Sequence, residues 1–349
     1  MLTTEQRTYF RFSVHVVTLI SLTVGAVAIF TYIVSDRMLG YQHQMIKFHR
    51  ELINGQYDHL KDQDLLIIGD STAAQSLIPS EFRRVRAVSL ASSAAGAIES
   101  YYLLREYLKK NGKPRCVLLL TSYGARQFHI NTVFWPFIVG HGLLSYDQIV
   151  DYYDISKKLN EWPGNAMSPI SARARIFSER FQYFVQFGIF NQAVFQPNLM
   201  FNHPQRSYRI FRRSYGGGPL LRRPEWLNIP FDGPNQEYLK SEFQPSPALD
   251  HYIQKILQLT KERGIRFYSD YGPVAASMRN ETSSSWLRSA IQHIEGLIKP
   301  FDHAKSLLDL EWYVDTSFSD STHLNWNAAR KYSAKVDEEV SDCAASSSR

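Results

Sequence analysis

Cysteine is nearly absent from this chain: Cys116 and Cys343 are the only two in 349 residues. Two cysteines cannot build a disulfide framework. Cys116 sits in an apolar run that reads as a core strand, and Cys343 in a serine-rich tail, so no bridge between them is expected. There is no Cys-x-x-Cys pair and no zinc spacing, which argues against a metal site, and nothing points to a cofactor. His129, His141, His203 and His251 have no partner at ligand or triad spacing and read as ordinary surface or core histidines. A strong charge imbalance is also missing. The net charge of +6 is a modest excess for this length, compatible with anionic polymers or lipid head groups, and no nucleic-acid module is present, so nucleic acid is not an expected partner. The charged fraction of 21% and the apolar fraction of 44% are those of a globular protein, long enough for one large domain or two small ones.

Charge is wholly missing from one stretch. Val14 to Val34 holds no Asp, Glu, Lys or Arg over 21 positions, with His15, Thr18, Ser21, Thr23 and Thr31 as polar interruptions. About 20 apolar residues suffice to cross a bilayer. Ala26-Val27-Ala28 offers a signal-peptide cleavage pattern, but the apolar run continues through Val34 and favours an uncleaved anchor. Arg7 and Arg11 precede the span and Arg37, Lys47 and Arg50 follow it, so basic residues do not fix its orientation. Gln42 to Leu60 reads as a juxtamembrane helix or linker.

Beyond it, Leu65–Ile68 is an apolar run ended by Gly69-Asp70-Ser71. The run is too short for a typical helix and reads as a buried strand, which places Ser71 at the carboxyl end of a central strand. A serine there usually caps the next helix. The far end of the chain adds Asp320-Ser321-Thr322-His323-Leu324-Asn325, ahead of a helical pattern from Asn327 to Val340. A serine hydroxyl becomes a nucleophile when a base takes its proton and a third group orients the base. The Asp320/His323 spacing lets a carboxylate reach the imidazole; Asp315 is the second candidate for that role.

Between these ends the pattern is strand, helix, strand. Ala87–Leu90 and Cys116–Leu120 read as strands around a helix from Ile98 to Lys110; Pro79–Phe82 reads as a short helix start. A helix over Leu249–Arg263, a strand over Ile265–Ser269, a helix over Trp286–Ile298 capped by Ser283–Ser285 and a last strand over Leu307–Leu310 complete an α/β pattern. Residues 130–245 are rich in aromatics, with Phe177, Phe181, Phe184 and Phe187 at helical spacing, and read as an inserted helical cap. Within them six arginines, including Arg212 and Arg213, lie between Arg206 and Arg223 without one acid, a composition suited to an anionic polymer or lipid head groups and equally to a solvated loop.

Gly69-Asp70-Ser71 together with the late Asp320-x-x-His323 resembles the SGNH/GDSL hydrolase superfamily, most of all its membrane-anchored branch acting on acyl groups of cell-envelope polymers, such as alginate O-acetylation and teichoic acid D-alanine transfer proteins. The resemblance covers residues 64–125 and 265–335. It implies a three-layer α/β sandwich with a central parallel sheet, formed by 61–129 and 246–341. The flanking parts would be a cytoplasmic segment 1–13, an anchor 14–34, a linker 35–60, the cap 130–245 and a disordered tail 342–349. It implies a Ser71–His323–Asp320 triad and an oxyanion hole from Ser71 and Gly96. At the third position the superfamily usually carries Asn, where this chain has Tyr123 after Ser122, so a hydroxyl of one of these would replace the amide or the hole would be weaker. Arg212, Arg213 and Asn325 are the expected substrate contacts. The implied activity is a serine esterase or acyltransferase, with an exported polysaccharide or envelope polymer as substrate and a membrane-bound acyl donor protein as partner. The implied location is the cytoplasmic membrane, single-pass, with the catalytic domain on the extracytoplasmic side. The Tyr123 departure leaves a second expectation open: a non-catalytic scaffold of the same fold.

Overall fold

The computed structural model describes residues 3–38, 41–93, 95–123, 143–160, 177, 209, 212–217, 242–307, 311–319 and 322–344. The chain begins with helix α1 (Thr4–Met38), of which Thr4–Ile29 is long and apolar enough to cross a membrane, with a mean hydropathy of 2.1. Phe10, Val14, Val17, Leu22 and Ile29 project into the surroundings from successive turns. Helix α2 (Tyr41–Ile53) follows and buries Met45, Phe48 and Leu52 on the domain.

The centre is a five-stranded sheet of β1 (Leu65–Gly69), β2 (Ala87–Ser89), β3 (Cys116–Thr121), β4 (Arg266–Tyr271) and β6 (Ala304–Ser306). The order is β2-β1-β3-β4-β6 and every pairing is parallel. A separate two-stranded pairing joins β5 (Val274–Ala275) to β7 (Trp312–Tyr313). Strands β1 and β3 are buried along their whole length, as their unbroken apolar runs require when both faces of a parallel sheet are covered. Leu66, Ile68, Val117 and Leu119 face one layer, with α2, α4 (Ala97–Lys110), α5 (Tyr146–Lys158), α6 (Pro247–Glu262) and α7 (Glu281–Ile298). Leu65, Ile67, Leu118 and Leu120 face the other, with α3 (Ser71–Ser76) and α8 (Trp326–Glu339).

The chain leaves β1 for β2 on one side, then returns past β1 to β3 on the other. Right-handed crossovers then require α3 and α4 to lie on opposite faces, as they do. The carboxyl ends of β1 and β3 therefore form the topological switch point of the sheet, where such folds hold their sites.

Several expectations need correction. Cys116 and Cys343 are bonded in a disulfide, with Cα atoms 5.8 Å apart. Helix α8 and the tight turn Ser341–Cys343 bring the C-terminal segment back to the start of β3, so Cys343 is buried rather than part of a loose tail. Strand β6 runs Ala304–Ser306, and pairing with Phe267–Ser269 selects it despite its polar sequence; of the expected strand Leu307–Leu310 only Leu307 is described, its N–H donated to Ser269 O at 2.9 Å, and the rest lies outside the described residues. Asn280, not Ser283–Ser285, caps α7, accepting the Ser283 N–H at 2.8 Å. In the expected cap, α5 packs into the main core through Ile149, Tyr152 and Tyr153. Residues Arg212–Gly217 lie at the outer edge of β2, where Tyr215 O accepts the Ser89 N–H at 2.9 Å. The aromatic periodicity from Phe181 to Phe187 lies outside the described residues.

Candidate active site

Strand β1 ends in a conformation that glycine alone tolerates. Gly69 has φ +141°, and a Cβ there would stand 1.7 Å from Leu120 O, so β1 and β3 could not keep their spacing with any other residue. Asp70 follows as the N-cap of α3, its Oδ1 accepting the Thr72 N–H at 2.8 Å. The cap is thus Asp70, and the Ser71 hydroxyl is left for other work. Asp70 Oδ2 accepts both the N–H and the Oγ–H of Ser122, at 2.8 and 2.7 Å. One buried carboxylate therefore clamps the turn carrying Ser71 to the end of β3.

Ser71 Oγ lies 2.9 Å from His323 Nε2, across 252 residues of sequence. Both residues are half-buried, so a reacting group can reach them. His323 sits on a tight loop. Its carbonyl accepts the Ser319 N–H at 2.8 Å, Phe318 and Leu324 form an antiparallel bridge, and Asn325 N–H is donated to Ser317 O at 2.8 Å. With the imidazole proton on Nδ1, which faces Thr322 Oγ1 at 3.3 Å, Nε2 accepts the serine proton. Asp320 lies outside the described residues. Asp315 accepts the Ser277 N–H at 3.0 Å and so ties the turn after β7 to the segment after β5.

The expected oxyanion donors are arranged differently from the superfamily pattern. Ser122 gives its hydroxyl proton to Asp70. Tyr123 is buried and stacks face to face on Tyr271, ring centroids 4.3 Å apart. Gly96, the N-cap of α4, donates its N–H to Glu99 Oε2 at 2.6 Å. Glu99 thus reaches back to its N-cap N–H as the third residue of a capping box does, while Gly96 has no side chain to complete the box. Glu99 is fully enclosed, and burial pushes its carboxyl up to about 7, against the pull of the Gly96 N–H. The main-chain N–H of Ser71 opens α3, where the first turn of a helix has donors without intrahelical partners.

The expected substrate contacts have structural partners of their own. Arg212 lies over the Tyr57 ring at 5.6 Å, beside the outer edge of β2, and Arg213 is exposed next to it. The Asn325 side chain caps α8 through the Ala328 N–H at 3.1 Å and donates to Thr316 O at 2.7 Å, which makes it a brace for the His323 loop.

One further group escaped sequence reasoning. Asp270, next to last in β4, accepts the Tyr332 hydroxyl at 2.6 Å; its burial raises it to about 7. Gly272 packs on Thr72, whose Cγ2 would be 2.1 Å from an added Cβ, so the turn after β4 closes directly on the helix of Ser71. No group of His, Cys, Asp and Glu suited to a metal ion occurs among the described residues.

No protein-family model matches this chain, and no curated protein matches it in sequence. The resemblance drawn above therefore rests on its two short motifs and on the site they form.

Proposed function

We propose that this protein is a membrane-anchored serine acyltransferase or esterase of the SGNH type. The observation that carries the reading is the 2.9 Å approach of Ser71 Oγ to His323 Nε2 at the switch point of a parallel sheet. Ser71 Oγ attacks the carbonyl carbon of an ester or thioester while His323 Nε2 takes the hydroxyl proton. The tetrahedral intermediate collapses, the leaving oxygen or sulfur receives that proton, and an acyl-Ser71 ester remains. An acceptor, a sugar hydroxyl or water, then gives its proton to His323 and attacks the acyl carbon; the Ser71 ester bond breaks, and His323 returns the proton to Ser71 Oγ. Asp320 orients the imidazole in this scheme. The Ser71 N–H stabilises the oxyanion; the Gly96 N–H contributes only once it leaves Glu99.

The acceptor best suited to this reading is a hydroxyl of an exported polysaccharide or envelope polymer, with the domain on the extracytoplasmic side of the membrane. The Cys116–Cys343 disulfide supports that side, since such bonds persist in oxidising compartments. The commitment of Ser122 and Gly96 to internal bonds favours a second reading, a non-catalytic scaffold that binds polymer or a membrane acyltransferase.

Fluorophosphonate labelling of the full chain separates the two. Labelling that disappears in both Ser71→Ala and His323→Ala is the expected result for the enzyme. Absence of labelling in the folded chain, or labelling retained in Ser71→Ala, rejects it.

A further inference from the structure

Helix α2 gives the domain a direction relative to the bilayer. Near its C-terminus, Ile53 O accepts the Asn111 Nδ2–H at 3.0 Å and Asn54 Oδ1 accepts from Lys110 Nζ at 2.7 Å. Lys110 and Asn111 end α4 just ahead of β3, at the amino end of the sheet. Five residues earlier, Phe48 stands further up, at the level of Ser89, which pairs with Ile67 midway along β1. A Cβ on Gly216 would meet both Phe48 Cε1, at 2.9 Å, and the carbonyl oxygen of Ser89, at 2.1 Å, and Ser89 is the last residue of β2. Followed from Ile53 back to Tyr41, α2 thus climbs from the amino end of the sheet toward its carboxyl end, the seven residues before Phe48 adding a rise of about 10 Å.

Its 13 residues rise about 20 Å, nearly the height of the neighbouring α4. Gln44, Met45, Phe48, His49 and Leu52 are buried, so α2 is docked along its length and moves with the domain. The step from Met38, the end of α1, to Tyr41 spans about 10 Å of chain at most. The membrane-crossing helix therefore joins the domain at the carboxyl end of its sheet, the end that carries Ser71 and His323.

We infer that the Ser71–His323 end of the domain faces the bilayer, and that the site takes an acyl ester or thioester held at the lipid surface. The orientation stands on α1 and α2 alone; the acyl chemistry rests on the function proposed above. Facing the lipid, the site meets membrane-borne carriers within the reach of its own tether, at a high effective concentration. The amino end of the sheet, with Lys113 and Arg263 exposed, faces away.

The test places a fluorophore on the full chain in lipid nanodiscs, in Ser277→Cys at the carboxyl end or Lys113→Cys at the amino end. Both positions are exposed, and the native cysteines are bonded to each other. With quenchers on the lipid head groups, the label at 277 is expected to be quenched at least threefold more than the label at 113, with the same result in a Ser71→Ala background. Equal quenching, stronger quenching at 113, or failure of the chain to associate with the nanodiscs overturns the orientation. Where 277 is the quenched position, a lipid-anchored ester is expected to acylate Ser71 at least tenfold faster than its soluble counterpart. Equal rates overturn the lipid-borne donor, whereas no acylation by either speaks against the serine mechanism and leaves the orientation standing.

Discussion

Breaking the Cys116–Cys343 bond should destabilise the domain heavily while leaving its fold recognisable. The two residues are 227 positions apart, so the bond closes almost the whole globular part of the chain into one loop. Chain-entropy loss on closing a loop of that length corresponds to about 5 kcal/mol at 25 °C. This is a large fraction of the 5–15 kcal/mol by which domains are ordinarily stable, roughly speaking. The perturbation is Cys116→Ala with Cys343→Ala in the full chain, in detergent, compared with the unreduced wild type. Unfolding by urea, followed by the fluorescence of the six tryptophans, gives the free-energy difference. A loss of about 3–5 kcal/mol is expected. Midpoints that agree to within about 1 kcal/mol would refute the reasoning, as would alkylation of both thiols in unreduced, denatured wild-type protein.

Gly69→Ala should cost about 4 kcal/mol or more, because the new methyl group would overlap Leu120 O and the backbone is left-handed there; a urea midpoint near that of the wild type contradicts this. Asp270→Asn should change how stability depends on pH. Burial raises the Asp270 carboxyl from 3.8 to about 7, so the folded state holds a proton that the unfolded chain has already released in that window. Wild-type stability therefore falls as pH rises from about 4 to about 7, and Asn, which cannot ionise, removes a share worth at most about 4 kcal/mol. The advantage of the variant should grow between pH 4 and pH 8, and parallel stability–pH curves would exclude it.

How much of this was readable in advance follows from which interactions are local. Strands β1, β2 and β3 and helix α4 were placed to within a residue or so, because uninterrupted apolar runs and a Gly-Asp-Ser turn are local signals. Ser71 and His323 were likewise named from short motifs, and the structure brings them together. The disulfide was not legible, because the position of Cys343 depends on how α8 packs beneath β3. Strand β6 was not legible because its Ala-Lys-Ser sequence carries no strand signal and only the edge of β4 selects it. The oxyanion candidates show another limit: residue type said what Ser122 and Gly96 could donate, but not that Asp70 and Glu99 accept those protons in the fold.

The two ends of the sheet divide the labour of the molecule. At the amino end the disulfide sits among charge-assisted bonds: Arg86 to Asp64 at 3.0 Å, Arg266 to Asp342 at 2.6 Å, and the Tyr268 hydroxyl to Asp342 at 2.6 Å. The disulfide and the Asp342 contacts join the third and fourth strands to the C-terminal segment, and the Arg86–Asp64 pair joins the starts of the first and second strands. At the carboxyl end lie the left-handed Gly69, the enclosed Glu99 and Asp270 whose carboxyls burial raises, and the serine–histidine pair. Strain and buried carboxyls subtract from stability, and they accumulate where sites are built. A cross-link more than the length of a strand away can offset that cost without touching the reacting groups. The disulfide variant should then keep the reactivity of Ser71 under conditions where it stays folded, because what the bond holds is the end of the sheet that the chemistry does not use.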